Sequence, residues 1–218
     1  VHTDFERWEV LVKDQQRIGV RYQRLSAHVL LTRLLIDADP EPYRAESRIR
    51  MEPDTGIWEV NSFRNQLMEH TSISHRESGR FPTKSMPSFG EILMLKLALE
   101  TPDEPLTYWH LDELLMDTPK TAATAHSEPN AMVRRVGEVQ DLPIPQSHAL
   151  RAQRFEAWVD GELKVTHWVD AANDVVCASW GEDVTAYRVP GTATEAGWLS
   201  LAGLDEGTVE FMARGFDA

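Results

Sequence analysis

Cysteine is almost absent from this chain. Cys177 is the only one in 218 residues, so no intrachain disulfide can brace the fold. It lies in the apolar stretch VVCASW, where a buried, unreactive thiol is the expected reading. Long hydrophobic runs are also missing: none approaches the ~18 residues of a membrane-spanning helix. The start at Val1 shows no signal peptide, which leaves either a cytoplasmic protein or an exported one whose leader has been removed. Positive charge is in short supply, with 22 basic against 35 acidic side chains and a net charge of −13. A phosphate backbone needs a basic face that displaces counterions, so no nucleic-acid partner is expected. The local basic cluster of Arg44, Arg48 and Arg50 is interleaved with Glu46 and Glu52 and reads as a solvated strand face.

The motifs of common chemistries are missing as well. There is no HExxH, no cysteine pair and no calcium loop, so no metal is expected. His70 and His75, five apart in an expected strand, point to opposite faces and cannot easily share an ion. Without a phosphate loop, a dinucleotide fingerprint or a nucleophile elbow, no cofactor is implied. Hydrophobic residues at 42% and charged residues at 26% exclude a disordered or fibrous chain. The enriched residue is tryptophan: seven copies suggest a large core or an aromatic-lined cavity, because a buried indole N–H needs a partner.

Period-two alternation dominates what is present. In FERWEVLVKDQQRIGVRYQRL, Trp8, Val10 and Val12 share a face with Ile18, Val20 and Tyr22 across a polar turn. YRAESRIRM gives a half-solvated strand, and IWEVNSFR, LMEHTSISHR, AMVRRVGEV, VVCASWG and DVTAYRV read as further strands. PSFGEILMLKLALETP differs. Ser88 and Glu91 stand at capping-box spacing, and apolar residues including Leu95 nearly encircle a helix that stops before Pro102. Residues 101–130 read as loop, with WHLDE as a turn into a short ELLM helix. TATEAGWLSLAGL suggests a C-terminal helix, and TVEFMARGFDA a last strand or arm. FERWEV and FEAWV share too few letters to establish a duplication.

FEAWVDGELKVTHWV pairs two strands through Asp160-Gly161, a strong hairpin turn. A simple register puts Trp158, Leu163, Val165, His167 and Val169 on one side with Arg154 and Glu156. The other side holds Phe155, Ala157, Val159 and Trp168 with Lys164 and Thr166. Neither face is polar, so both are expected to be covered. The fold class that follows is mainly β: about ten antiparallel strands in a strongly curved sheet or open barrel, spanning 1–218 as one domain. A helical and loop insert over about 86–130 would lie against its concave side (α+β).

WEVLVKDQQRIGV, the strand pairs after it, the helical insert and FEAWVDGELKVTHWV together resemble the bacterial lipoprotein-carrier-like half-barrels and their periplasmic relatives. The resemblance implies a curved antiparallel sheet, a helix plug and a hydrophobic ligand on the concave face. The partner expected is therefore a hydrophobic small molecule or lipid, with Trp58, Leu95, Trp109, Trp158 and Trp168 as candidate ligand-binding residues. Two functions fit: a binding protein, or a cofactor-independent cyclase or isomerase that works through orientation and electrostatics. For the second, His167 is the candidate catalytic residue, with a structural role as its alternative. His110, near Asp112 and Glu113, is a weaker possibility for a general base. The sequence leaves oligomeric state open.

Overall fold

The computed structural model describes residues 3–37, 41–79, 81–114, 128–144, 149–181, 183–189 and 203–217. Its strands are β1 (Phe5–Lys13), β2 (Gln16–Ser26), β3 (Val29–Ile36), β4 (Tyr43–Met51), β5 (Trp58–Asn65), β6 (Met68–Ser74), β7 (Ser85–Pro87), β8 (Leu106–Leu111), β9 (Ala131–Leu142), β10 (Leu150–Val159), β11 (Glu162–Val169), β12 (Val175–Trp180) and β13 (Val184–Val189). All thirteen join one sheet in the order β6-β5-β4-β3-β2-β1-β13-β12-β11-β10-β9-β8-β7. The sheet is curved and open, and every pairing is antiparallel except β7 with β8. Three helices are α1 (His75–Ser78), α2 (Glu91–Glu100) and α3 (Glu206–Arg214).

Tight turns carry the meander. The two central residues of the β1–β2, β2–β3 and β10–β11 turns all have positive φ: Asp14 and Gln15, Ala27 and His28, Asp160 and Gly161. Such pairs match the right-handed twist of the strands they join. Bulges opposite single residues, at Ile18, Glu59, Lys164 and Val176, bend the strands inward. Near β7 the sheet's far portions meet through side chains, Trp58 Nε1 donating to Ser85 Oγ at 3.1 Å.

Helix α2 lies against the concave side. Ile92, Leu93, Met94, Leu95 and Ala98 are buried there with Leu30, Ile49, Val133, Phe155 and Val165 from the inner strand faces. A helix so nearly apolar around its circumference requires this coverage. The outer face is not bare either. Phe211 and Met212 of α3 pack over Val10, Val12, Val20, Tyr22 and Leu35. This explains why β3, VLLTRLLI, is apolar on both sides: Leu30 belongs to the inner core and Leu35 to the outer one.

Several expectations change. The tail TVEFMARGFDA is helix α3 followed by a single 3-10 turn, not a strand or arm, because Asp205 caps it by accepting from Thr208 N at 2.9 Å. The expected loop over 101–130 contains strand β8, and WHLDE is strand through Leu111 rather than a turn into a helix. The ELLM segment beyond Leu114, and the TATEAGWLSLAGL segment up to residue 202, lie outside the described residues. His75 opens α1 instead of sharing β6 with His70, and its Nε2 stands 3.1 Å from the Pro82 carbonyl.

Arg33 ties α3 to the sheet. Its Nε bonds Glu46 Oε2 at 2.6 Å and its Nη1 donates to the Met212 carbonyl at 2.8 Å. Gly215 then ends the helix at φ 76° and ψ −149°, a conformation essentially reserved for glycine. A Cβ there would strike the Glu46 carboxylate. Gly215→Ala is therefore expected to lower the unfolding free energy by about 2–4 kcal/mol, strain and a disturbed buried ion pair adding together. Gly161→Ala, where a Cβ meets nothing within 4 Å, should cost only about 1 kcal/mol. Urea unfolding of both variants checks this, and equal losses would show that Glu46 is not locked against the helix end.

Candidate functional site

The β10–β11 hairpin determines what faces the helix. Trp158 pairs with Leu163, but Ala157 pairs with Val165 and Phe155 with His167, because Lys164 bulges out of register. The one-residue slip moves His167 to the side of Phe155, Ala157, Val165 and Val169. Arg154, Glu156, Trp158 and Trp168 go to the other side. The inner face of the hairpin is thus apolar with one histidine, and the outer face carries Arg154 and Glu156 together with two tryptophans.

The N-terminal end of α2 is built in an unexpected way. Ser88 and Glu91 do not form a capping box. The turn Ser88–Gly90 is capped by Glu113, whose carboxylate accepts from Ser88 N at 3.1 Å, from Phe89 N at 2.9 Å and from Ser88 Oγ. Glu91 is left free in the first helical turn, where the helix dipole favours an anion. Its Oε1 lies 2.6 Å from His167 Nε2.

Around this pair lies a cavity of about 490 Å³ between α2 and the strands on either side of β1. Leu11, Leu34, Ile36, Ile92, Val165 and Val175 make its apolar wall. Its polar lining includes Arg7, Arg21, Gln23, Thr32, Glu91 and His167. Gln23 donates to Thr32 Oγ1 at 3.3 Å. Arg7, two residues before Glu9 on β1, and Arg21, which faces Glu9 from β2, both bond this fully buried carboxylate. The Arg21 guanidinium also lies 4.5 Å from the centre of the Trp180 ring. His167 is buried, and its Nδ1 has no hydrogen-bond partner among the described residues.

Electrostatics follow from burial and partners. Burial alone would raise the pKa of Glu9, but the charges and hydrogen bonds of Arg21 and Arg7 prevail and hold it at about 2. For Glu91 burial is likewise overcome, by the hydrogen bond and charge of His167 with help from Arg21 and His110, so its carboxyl stays below the usual range. Burial lowers His110 against the pull of Glu91, Asp112 and Asp160. At Glu113 burial wins over the Ser88 and Phe89 hydrogen bonds and pushes the carboxyl up to about 7.

Of the expected site residues, His167 and His110 line this cavity; the five proposed ligand contacts do not. Trp58 is fully buried core, 5.3 Å from Phe81 between ring centres. Leu95 is also fully buried, packed into the inner core. Trp109 alternates with Tyr108 and His110, which take the inward positions on β8. Trp158 bonds Glu156 Oε2 at 2.9 Å on the outer face, beneath Arg134. Trp168 packs outside with Cys177 and Ala152. Among the described residues, the tryptophan that does reach the cavity is Trp180.

Glu91, Arg7 and Arg21 were missed as site residues. The legible signal was a run of charge, Arg7, Glu9 and Arg21, on strand faces opposite the conspicuous Trp8-Val10-Val12 stripe. Among the described residues no group of three His, Cys, Asp or Glu side chains is arranged to hold a metal ion. No protein-family model, curated protein or solved structure matches the chain.

The buried carboxylates make stability depend on pH in two directions. Glu113 has a folded-state pKa of about 7, above its ordinary 4.5. Between those values the native state holds a proton that the unfolded chain has released, so stability falls as pH rises, by up to about 1.4 kcal/mol per pH unit. Glu9 works oppositely: its contribution is full above pH 4.5 and is lost as pH falls toward about 2. His110, held low, opposes Glu113 just below its ordinary 6.5. Urea midpoints at about pH 5 and about pH 7.5 should therefore drop more for the wild type than for Glu113→Gln. Parallel pH profiles would show that Glu113 carries no such burden.

Proposed function

We propose that the protein binds a hydrophobic small molecule or lipid in the cavity between α2 and the concave sheet. One observation carries this reading: an apolar-walled hollow of about 490 Å³ into which a few convergent polar groups project. That is the usual composition of a small-molecule site, where apolar area supplies affinity and sparse polar groups supply orientation. The resemblance of the strand rhythm to lipoprotein-carrier-like half-barrels favours the same class of ligand. Binding without conversion suits a site that lacks the common catalytic motifs.

A second reading rests on the Glu91–His167 pair. At 2.6 Å, buried beside an apolar wall, it is able to withdraw a proton from a bound molecule and return it elsewhere. A cofactor-independent isomerase or cyclase would need little more than this pair and a cavity that folds the substrate. Under this reading Glu91→Gln and His167→Gln retain the compound recovered from the native protein but cease to convert it; unchanged turnover removes the reading.

The binding reading is tested with the neutral apolar fluorophore N-phenyl-naphthylamine and by mass spectrometry of organic extracts of the purified protein. Wild-type protein should enhance the dye's fluorescence, and Leu34→Trp, which fills the cavity, should abolish the enhancement. Leu163→Trp, at an exposed position away from the lining, should not. An extract without apolar compounds, together with equal dye binding by the wild type and Leu34→Trp, would end the proposal.

A further inference from the structure

Two guanidinium groups in the cavity wall share one carboxylate. Arg7 and Arg21 both bond Glu9, which is 0% exposed and cannot be reached from solvent. Glu91, the carboxylate on the helix side of this lining, bonds His167 and also feels the charge of Arg21. At the end of the cavity formed by β1 and β2, two guanidinium groups thus share the one carboxylate they bond directly.

The Arg21 side chain is held in a particular way. Its Nε–H is committed to Glu9, and its planar face lies on Trp180 at 4.5 Å. Glu9 is its one hydrogen-bond acceptor among the described residues. None of its nitrogens is among the buried atoms that lack a partner, although Arg7 Nε is. The terminal nitrogens consequently remain open, and Arg21 belongs to the cavity lining. A guanidinium fixed on one edge and one face, with its far N–H groups free, is a preorganised fork for a planar anion. Lys164, also on the lining, is not equivalent: it bulges to the surface and pairs with Glu162.

We propose that the ligand is an amphiphile with a carboxylate head, bound with its head on Arg21 and its tail along Leu34, Ile36 and Val165. This deepens the binding reading and rests on it. An alcohol of the same length offers a single neutral hydrogen bond and a hydrocarbon none. A carboxylate offers two parallel, charge-assisted hydrogen bonds to the two guanidinium N–H groups that Glu9 leaves open. The Glu91 carboxylate, on the helix side, repels a second anion and so restricts the head to the β1–β2 end.

The test compares decanoate, decanol and acetate by isothermal titration calorimetry at about pH 8, where the acid is ionised. Wild-type protein is expected to bind decanoate about tenfold or more tightly than decanol, the preference that one charge-assisted pair supplies. Acetate should show no binding at the same concentrations. Arg21→Gln should bring decanoate down to the decanol level, and Arg21→Lys, which keeps the charge and loses the fork, should fall between. Circular dichroism verifies the fold of each variant, and the wild-type comparison decides even where Arg21→Gln does not fold. Equal affinity for decanoate and decanol overturns the head-group assignment and leaves the cavity reading standing. Binding of neither amphiphile overturns both. A loss in Arg21→Gln that is the same for the two amphiphiles also overturns the assignment, since Arg21 would then only shape the wall.

Discussion

The carboxylate of Glu113 holds the start of the inner helix, and the site depends on that attachment. A helix begins with amide N–H groups that have no partner within it, and inside a curled sheet water is a poor substitute. Glu113 reaches from just beyond β8 to accept from Ser88 and Phe89, which fixes both the depth and the rotation of α2. Phe89 then packs against Phe63, the rings tilted by 53° with centres 5.5 Å apart. Glu91 comes round to His167. Had Glu91 turned back to cap its own helix, as its spacing from Ser88 suggested, the cavity would have lost its carboxylate and His167 its partner. The cost of the arrangement is visible in the same residue, since burial drives Glu113 toward protonation near neutral pH.

The interior ion cluster needs a reason other than stability. Replacing a buried ion pair by well-packed apolar residues is often neutral or stabilising, so charge kept inside a sheet is weak evidence of a structural gain. The Arg33–Glu46 pair has an evident structural task, because Arg33 also donates to the Met212 carbonyl in the last turn of α3 and helps hold that helix on the sheet. Arg7, Glu9 and Arg21 tie down no such element. Glu9 and Arg21 face each other across the β1–β2 hairpin, with Arg7 two residues away on β1. Their place beside an apolar hollow is what the proposed binding reading uses.

Much of the architecture was legible because period-two alternation is robust where strands are regular. The β1–β2 hairpin, the strand from Tyr43 to Met51, and the Asp160-Gly161 turn all follow from local pattern. The curved sheet with an apolar helix against it followed from the one segment whose period was clearly not two. Other parts were hidden for identifiable reasons. Strand β3 is apolar on both faces, so alternation disappears; its turn from β2 uses Ala27 and His28 at positive φ, without the glycine or asparagine that advertises such a turn. Helix α3 contains Thr208, Val209 and Phe211, poor helix formers whose residence is secured by the Asp205 cap and by packing on β1–β3. The tryptophans misled because their size marks burial, and burial here was mostly core or outer face.

The apparent coverage of both faces of the β10–β11 hairpin came from reading through a bulge. With Lys164 removed from the count, its inner face is apolar and its outer face carries the Glu156, Arg134 and Arg154 cluster. The sheet is nonetheless covered on two sides, by α2 within and by α3 over β1–β3. The second cover lies over the N-terminal strands and not over the hairpin whose faces prompted the expectation. These two facts have a common physical origin. Bending a sheet enough to wrap a helix demands bulges, and each bulge shifts every later residue to the opposite face. In a strongly curved sheet the positions that line the hollow are thus the ones whose direction a simple alternation is least able to assign. His167 was recognisable as unusual while its neighbours, its partner and its side of the sheet were not.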